Sequence, residues 1–314
     1  MQQLLDSFNN KNRRSLAKLI TLIENDSPLK EEALKKIYFS TGKARIIGFT
    51  GSPGAGKSSL IDRMVEIIRQ RGETVGIIAV DPTSPFSGGA LLGDRIRMKE
   101  HTLDGGVYIR SMGTRGNLGG LARNTKNVVK VLDAYGMDWI IVETVGVGQA
   151  ELDIMNVAST TILVLTPDSG DGIQTIKAGI MEIADIFAVN KCDLSGADRI
   201  ATEIEIMLDM KSGKKSWRPP VIMTSTMKGK GVEDLLEAIC NHQLFLQENG
   251  TYSLMQKEKA ITETLDMISD YYNKMIRREI DSNERVRIIM EGVSGRELDP
   301  YTAATEIFRL YTKP

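Results

Sequence analysis

Residues 51–58 read GSPGAGKS, a G-x-x-x-x-G-K-[ST] pattern whose mechanism requires a turn between a buried strand and the helix after it. The flanks agree with that placement. Ala44–Thr50 (ARIIGFT) is an apolar run of strand length, and from Ser58 to Arg71 the residues Leu60, Ile61, Met64, Val65 and Ile68 recur at helical spacing. Gly51, Gly54 and Gly56 allow the backbone to bend so that successive N–H groups converge on phosphate oxygens, and the following helix adds the positive end of its dipole. Lys57 offers a charge to β- and γ-phosphates and Ser58 a hydroxyl to Mg2+. The expected phosphate cradle is Gly51, Ser52, Pro53, Gly54, Ala55, Gly56, Lys57, Ser58 and the next helical residue, Ser59.

The rest of the chain fits a three-part plan. Residues 1–43 are expected to be a helical N-terminal extension, with Leu16, Leu19, Ile20 and Ile23 on one apolar stripe and Leu34, Ile37 and Tyr38 on another. Residues 44–245 alternate strand and helix, with strand-like runs at Ile46–Thr50, Thr74–Val80, Val107–Ile109, Trp139–Val142, Thr161–Leu165, Ile186–Val189 and Val221–Thr224. Right-handed crossovers then give an α/β fold, a P-loop NTPase with a doubly wound, mostly parallel sheet. Residues 246–314 show no strand series. There Ile261, Leu265, Ile268, Tyr272 and Met275 repeat with 4-3-4-3 spacing, a seam that packs either on the protein's own core or against a second copy.

After the run IADIFAV the chain reads Asn190-Lys191-Cys192-Asp193. The Asp193 carboxylate can accept from guanine N1–H and the exocyclic N2 amine together, a donor pair that adenine lacks. Asn190 can orient the loop, Lys191 can lie along the base plane, and Thr224, Ser225 and Thr226 follow the last strand as a second contact to the base edge. GTP and GDP are thus the expected ligands, with Mg2+. The run WIIVE ends in Glu143, and Thr144-Val145-Gly146 follow, like the D-x-x-G element of GTPases with Glu in place of Asp. Glu143 can hold Mg2+ through water, and the Gly146 amide can sense the γ-phosphate. Asp81 ends another strand and Asp94 lies in the Gly-rich stretch beyond it; each could serve Mg2+ or the attacking water. The position of the water-orienting glutamine of Ras-like GTPases is taken by Val147, so slow intrinsic hydrolysis is expected, near or below ~10⁻⁴ to 10⁻² s⁻¹.

Bulk properties narrow the setting. A formal net charge of −1 leaves no electrostatic footprint for nucleic acid or an anionic membrane, and no apolar run has the length of a membrane span. Two cysteines, Cys192 and Cys240, give no disulfide framework, and the expected location is the cytoplasm. His101 and His242 are isolated in sequence, which reads as structural rather than metal-binding and argues against a nickel-insertion chaperone. An ATPase or kinase attached to basic amino-acid transport is opposed by NKCD.

With DPTSPFSGGALLGDRIRM (81–98), RGNLGGLA (115–122), ETVGVGQ (143–149), GDGIQTIKAGIMEIAD (170–185) and DPYTAA (299–304), the chain resembles the MeaB/ArgK-type GTPases, the methylmalonyl-CoA mutase-associated family. The resemblance implies a GTPase chaperone that gates cofactor loading and protects an adenosylcobalamin-dependent acyl-CoA mutase. It also implies a C-terminal dimerisation arm and hence a homodimer. By motif match it makes Lys57, Asp81, Asp94 and Glu143 the catalytic group, and Ser58, Asp81, Asp94 and Glu143 the metal ligands. Asp168–Lys177 matches the family's additional switch, although Gly172 stands where many relatives carry an acidic residue.

Overall fold

Each of the seven apolar runs becomes a strand of one parallel sheet. The computed structural model describes residues 1–81, 101, 103–113, 118–144, 157–167, 182–210 and 217–312. Its strands are β1 (Arg45–Thr50), β2 (Val75–Asp81), β3 (Val107–Gly113), β4 (Trp139–Thr144), β5 (Thr160–Leu165), β6 (Ile186–Val189) and β7 (Val221–Met223), in the order β3-β2-β4-β1-β5-β6-β7. Each pairing between these seven strands is parallel. From β1 the chain crosses first toward β2 and β3, then returns to the other side for β5. Such a reversal opens a crevice at the carboxyl ends of the strands.

Strand alternation divides the core. Ile140 and Val142 of β4 pack on one face with Ile78 and Val80, while Trp139 and Ile141 pack on the other with Ile47, Phe49 and Ile77. The second face is covered by α4 (Lys57–Gln70) and by the helix Val232–Glu248, and Leu163, Phe187 and Val189 are covered by the helix Ala197–Met210. The first face is covered by the helix Leu118–Tyr135 and by three N-terminal helices, α1 (Gln2–Asn9), α2 (Arg13–Glu24) and α3 (Lys30–Ile37). Leu16, Leu19, Ile20 and Ile23 are fully buried, as the α2 stripe predicts, each contributing about 1.5–3 kcal/mol by burial. The second stripe is shorter than expected. Ile37 is buried, but Tyr38 turns outward because α3 gives way to a 3-10 turn at Tyr38–Ser40. Asn12 caps α2 by accepting from the Arg14 and Ser15 amides, and Asp133 accepts from the Gly42, Lys43 and Ala44 amides where the chain enters β1.

Two compact units result, Met1–Asn249 and Gly250–Pro314. In the second, a helix spans Thr251–Ser282, followed by Glu284–Ser294 and Pro300–Thr312. Asp299 accepts from the Tyr301 and Thr302 amides at 2.9 Å, so DPYT is a helix start with Asp as cap and Pro in the first turn. Tyr311 donates to Glu279 at 2.8 Å and ties the last helix to the first. Within this unit Ile261, Leu265, Ile268 and Tyr272 of the 4-3-4-3 seam are 45–58% exposed, and Met275 is half-buried.

His242 lies within the first unit, with Nδ1 3.0 Å from Thr160 Oγ1 and its ring 4.8 Å from that of Trp217. Burial pushes its pKa down to about 4. Since the unfolded chain takes up this proton first, its contribution to stability is complete above the ordinary histidine value and lost as pH falls toward 4. The loss is on the order of 1–3 kcal/mol. In urea titrations at pH 7 and 4.5, a His242→Leu variant is expected to lose that share of the pH dependence. An equal slope in variant and parent would contradict the assignment.

Candidate functional site

The phosphate loop sits at the carboxyl end of β1, the central strand, and α4 begins at its far end. Gly51 has φ +140°, and a Cβ there would lie 2.2 Å from the Val164 carbonyl oxygen of β5. Gly56 has φ +85°, and a Cβ there would lie 2.4 Å from Asn190 Nδ2. Both positions therefore exclude a side chain by contact as well as by conformation. Pro53 and Gly54 form the exposed tip, Ala55 is buried beneath it, Ser52 is half-buried, and Ser59 is exposed on the first turn of α4. Lys57 is buried and donates to the Gly51 carbonyl at 2.7 Å and the Ser52 carbonyl at 3.0 Å, so the loop's own oxygens hold its ammonium in place.

Ser58 donates to Glu143 Oε1 at 2.6 Å. This contact follows from strand register. Glu143 pairs with Phe49 of β1 and Ala79 of β2, one residue before the end of β4, so it projects at the level of the helix start. Beside it Thr144 Oγ1 and Thr50 Oγ1 are 3.2 Å apart, a link between β1 and β4 that sequence reasoning did not single out. Threonines ending adjacent strands were its only trace in the sequence. Asp81 pairs with Gly113 at the end of β2, on the same edge of the sheet. Asp94, Gly146, Val147 and Asp168–Lys177 lie outside the described residues.

The base loop follows β6. Asn190 is fully buried and donates through Nδ2 to the Ala55 carbonyl at 2.9 Å, while its Oδ1 accepts from Thr224 Oγ1 at 3.2 Å. Asn190 thus joins the base loop to the phosphate loop. Lys191 adopts φ +56°, which turns the chain so that the Cys192 amide donates to the Thr224 carbonyl at 2.9 Å. Asp193 is exposed and accepts from the Ser225 hydroxyl. That bond, first, and then its own amide and the charge of Lys228 hold the Asp193 carboxyl below the usual carboxylate range. Ser225 and Lys230 close a short antiparallel bridge around Thr226.

Lys57, Ser58, Glu143, Asn190 and Asp193 therefore gather at the carboxyl ends of β1, β4 and β6. The family described as "Methylmalonyl Co-A mutase-associated GTPase MeaB" matches residues 16–281. The chain belongs to the MeaB GTPase family. Like other MeaB-family proteins it is a GTPase with a phosphate-binding loop. A Pyrococcus abyssi protein with a provisional GTPase name is 48% identical over 312 residues, covering 98% of this chain and 96% of the relative. GTPase ArgK of Escherichia coli is 29% identical, covering 94% and 92% of the two chains. The mouse mitochondrial methylmalonic aciduria type A homolog is also 29% identical, covering 95% of this chain and 76% of its own. Among solved structures, one described as an LAO/AO transport system kinase superimposes with a TM-score of 0.73 at 23% identity, over 99% of this chain and 97% of that one, which is a likeness of fold.

Proposed function

We propose that this MeaB-family GTPase acts as a chaperone for an adenosylcobalamin-dependent acyl-CoA mutase, methylmalonyl-CoA mutase foremost, gating cofactor loading and protecting the enzyme from inactivation. The observation that carries this reading is the match of residues 16–281 to a family described by its association with that mutase. The name of the mouse relative points the same way.

In this reading Gly51–Ser59 take the phosphates, and Asn190, Lys191, Asp193 and Thr224–Thr226 take the guanine. The donor chemistry suits Mg2+: Ser58 and Glu143, both oxygen donors, meet at 2.6 Å, and Asp81 or Asp94 would add a further carboxylate. Bound there, Mg2+ supplies positive charge against the β- and γ-phosphates. Lys57 exchanges its bonds to the Gly51 and Ser52 carbonyls for phosphate oxygens. Ser58 is held toward the pocket by Glu143, and the Gly146 amide reports the γ-phosphate to the Asp168–Lys177 switch. The exposed seam at Ile261, Leu265, Ile268 and Tyr272 supports a homodimer built through the region from residue 246 onward. In this reading the protein works in the cytoplasm without membrane or nucleic-acid partners. Separately, among the described residues no helix is long and apolar enough to cross a membrane.

The test is to add candidate cobalamin-dependent mutases to the purified GTPase. A rise in GTP hydrolysis of tenfold or more, together with a complex on size-exclusion chromatography, is expected from a slow basal rate. No stimulation by any such mutase would remove the partner assignment, and a basal turnover of several per second would remove the switch.

A further inference from the structure

Asp62 and Glu66 stand one turn apart on α4, and His101 approaches them from the segment that leads into β3. One ligand atom from each, two carboxylate oxygens and a ring nitrogen, lies within 4.8 Å of the others. We propose that Asp62, Glu66 and His101 bind one divalent first-row transition-metal ion, zinc in the first instance, at a site separate from the nucleotide pocket.

The distances fit an ion. His101 Nε2 lies 3.1 Å from Asp62 Oδ1. Two ligands each about 2.0–2.1 Å from a tetrahedral zinc are separated by about 3.3 Å. His101 is only 8% exposed, and among the described residues its Nε2 has no hydrogen-bond partner. A buried ring nitrogen left so is uncommon, and one aimed at a carboxylate oxygen without hydrogen-bond alignment points to a cation between them. Spacing on the helix supplies the third ligand, because residues i and i+4 share a face.

The segment carrying His101 is also held from outside the cluster. The Asp104 amide donates to the His101 carbonyl at 3.2 Å, and the Asp104 carboxylate accepts from Arg69 Nε at 2.8 Å, Arg69 Nη2 at 3.0 Å and the Gly106 amide at 2.8 Å. Arg13 donates to the Asp104 carbonyl at 3.0 Å. The ring is therefore positioned before an ion arrives, which limits the ordering needed on binding. One imidazole with two carboxylates suits zinc, manganese or cobalt; magnesium and calcium prefer oxygen alone, and copper(I) prefers sulfur. Competition comes from Arg63, whose Nη1 donates to Glu66 Oε2 at 2.9 Å and Oε1 at 3.1 Å. Both side chains are partly exposed, so that ion pair is weak and yields readily. The bound ion would tie α4, the helix that begins at Lys57, to the residue that follows the 82–100 stretch bearing Asp94.

Metal-stripped full-length protein, with GDP and excess Mg2+ present to fill the nucleotide pocket, should be titrated with Zn2+ against a chromophoric chelator and with Co2+ by visible absorption. One equivalent is expected, with a rise in Tm on zinc addition. His101→Ala and Glu66→Gln should each weaken it by at least about tenfold, whereas Arg63→Gln should tighten it several-fold by freeing Glu66. A wild-type chain with no saturable equivalent overturns the proposal, as does unchanged affinity in both ligand variants. Should His101→Ala fail to fold, the surface variants Glu66→Gln and Arg63→Gln decide, since a purely structural cluster would not shift zinc affinity in opposite directions.

Discussion

Replacing Lys57 by alanine is expected to lower GTP hydrolysis by roughly 100- to 1000-fold, the range found when a preorganised electrostatic group is removed from a catalytic site. Lys57 is buried, and its two bonds to the Gly51 and Ser52 carbonyls keep the ammonium beside the loop before any phosphate arrives. Alanine removes the charge and leaves both carbonyls without that donor, so nucleotide affinity should fall as well. Arginine should not rescue, because a planar guanidinium cannot reproduce a compact ammonium in this space. Phosphate release under single-turnover conditions is the measurement, with circular dichroism to establish that the variant folds. A rate within threefold of the parent would mean that Lys57 does not contact the transferring phosphate.

Asp193→Asn should reverse the base preference, with GTP binding at least about a hundredfold weaker and xanthosine triphosphate gaining. The carboxylate is aligned by the Ser225 hydroxyl and stays ionised below the usual carboxylate range, so it presents only acceptors to the ligand. Guanine offers N1–H and N2–H donors to that edge. Asparagine replaces one acceptor by an NH2 group, which opposes the guanine amine but matches the carbonyl that xanthine carries at the same position. Competition binding with GTP, ATP and xanthosine triphosphate reads the change. Unchanged GTP affinity would refute the guanine assignment of NKCD.

Much of this architecture was legible in the sequence because local pattern and global fold agree. The β1 apolar run, the glycines and the α4 periodicity each specify the same strand–turn–helix, and the seven apolar runs sort into strands because a parallel sheet buries both faces. Tyr38 shows the limit of periodicity: a single 3-10 turn after Ile37 rotates it out of the stripe. The seam from Ile261 to Tyr272 marks a second limit, since spacing reveals an apolar face but not what covers it. Contacts between distant segments were illegible. The motifs make Ser58 and Glu143 ligands of one ion, but their direct hydrogen bond depends on the register of β4 against β1. His101, isolated in sequence, is likewise placed against Asp62 and Glu66 only by the fold.

Asn190 has a thermodynamic consequence. Its amide joins the Ala55 carbonyl of the phosphate loop to the Thr224 hydroxyl of the base loop inside a fully buried contact. Ligand fragments should therefore bind non-additively: pyrophosphate or guanosine alone would each bear the full cost of ordering the shared hinge. The free energy of GDP binding should exceed the sum of its halves, and Asn190→Ala should shrink that excess more than it weakens either fragment.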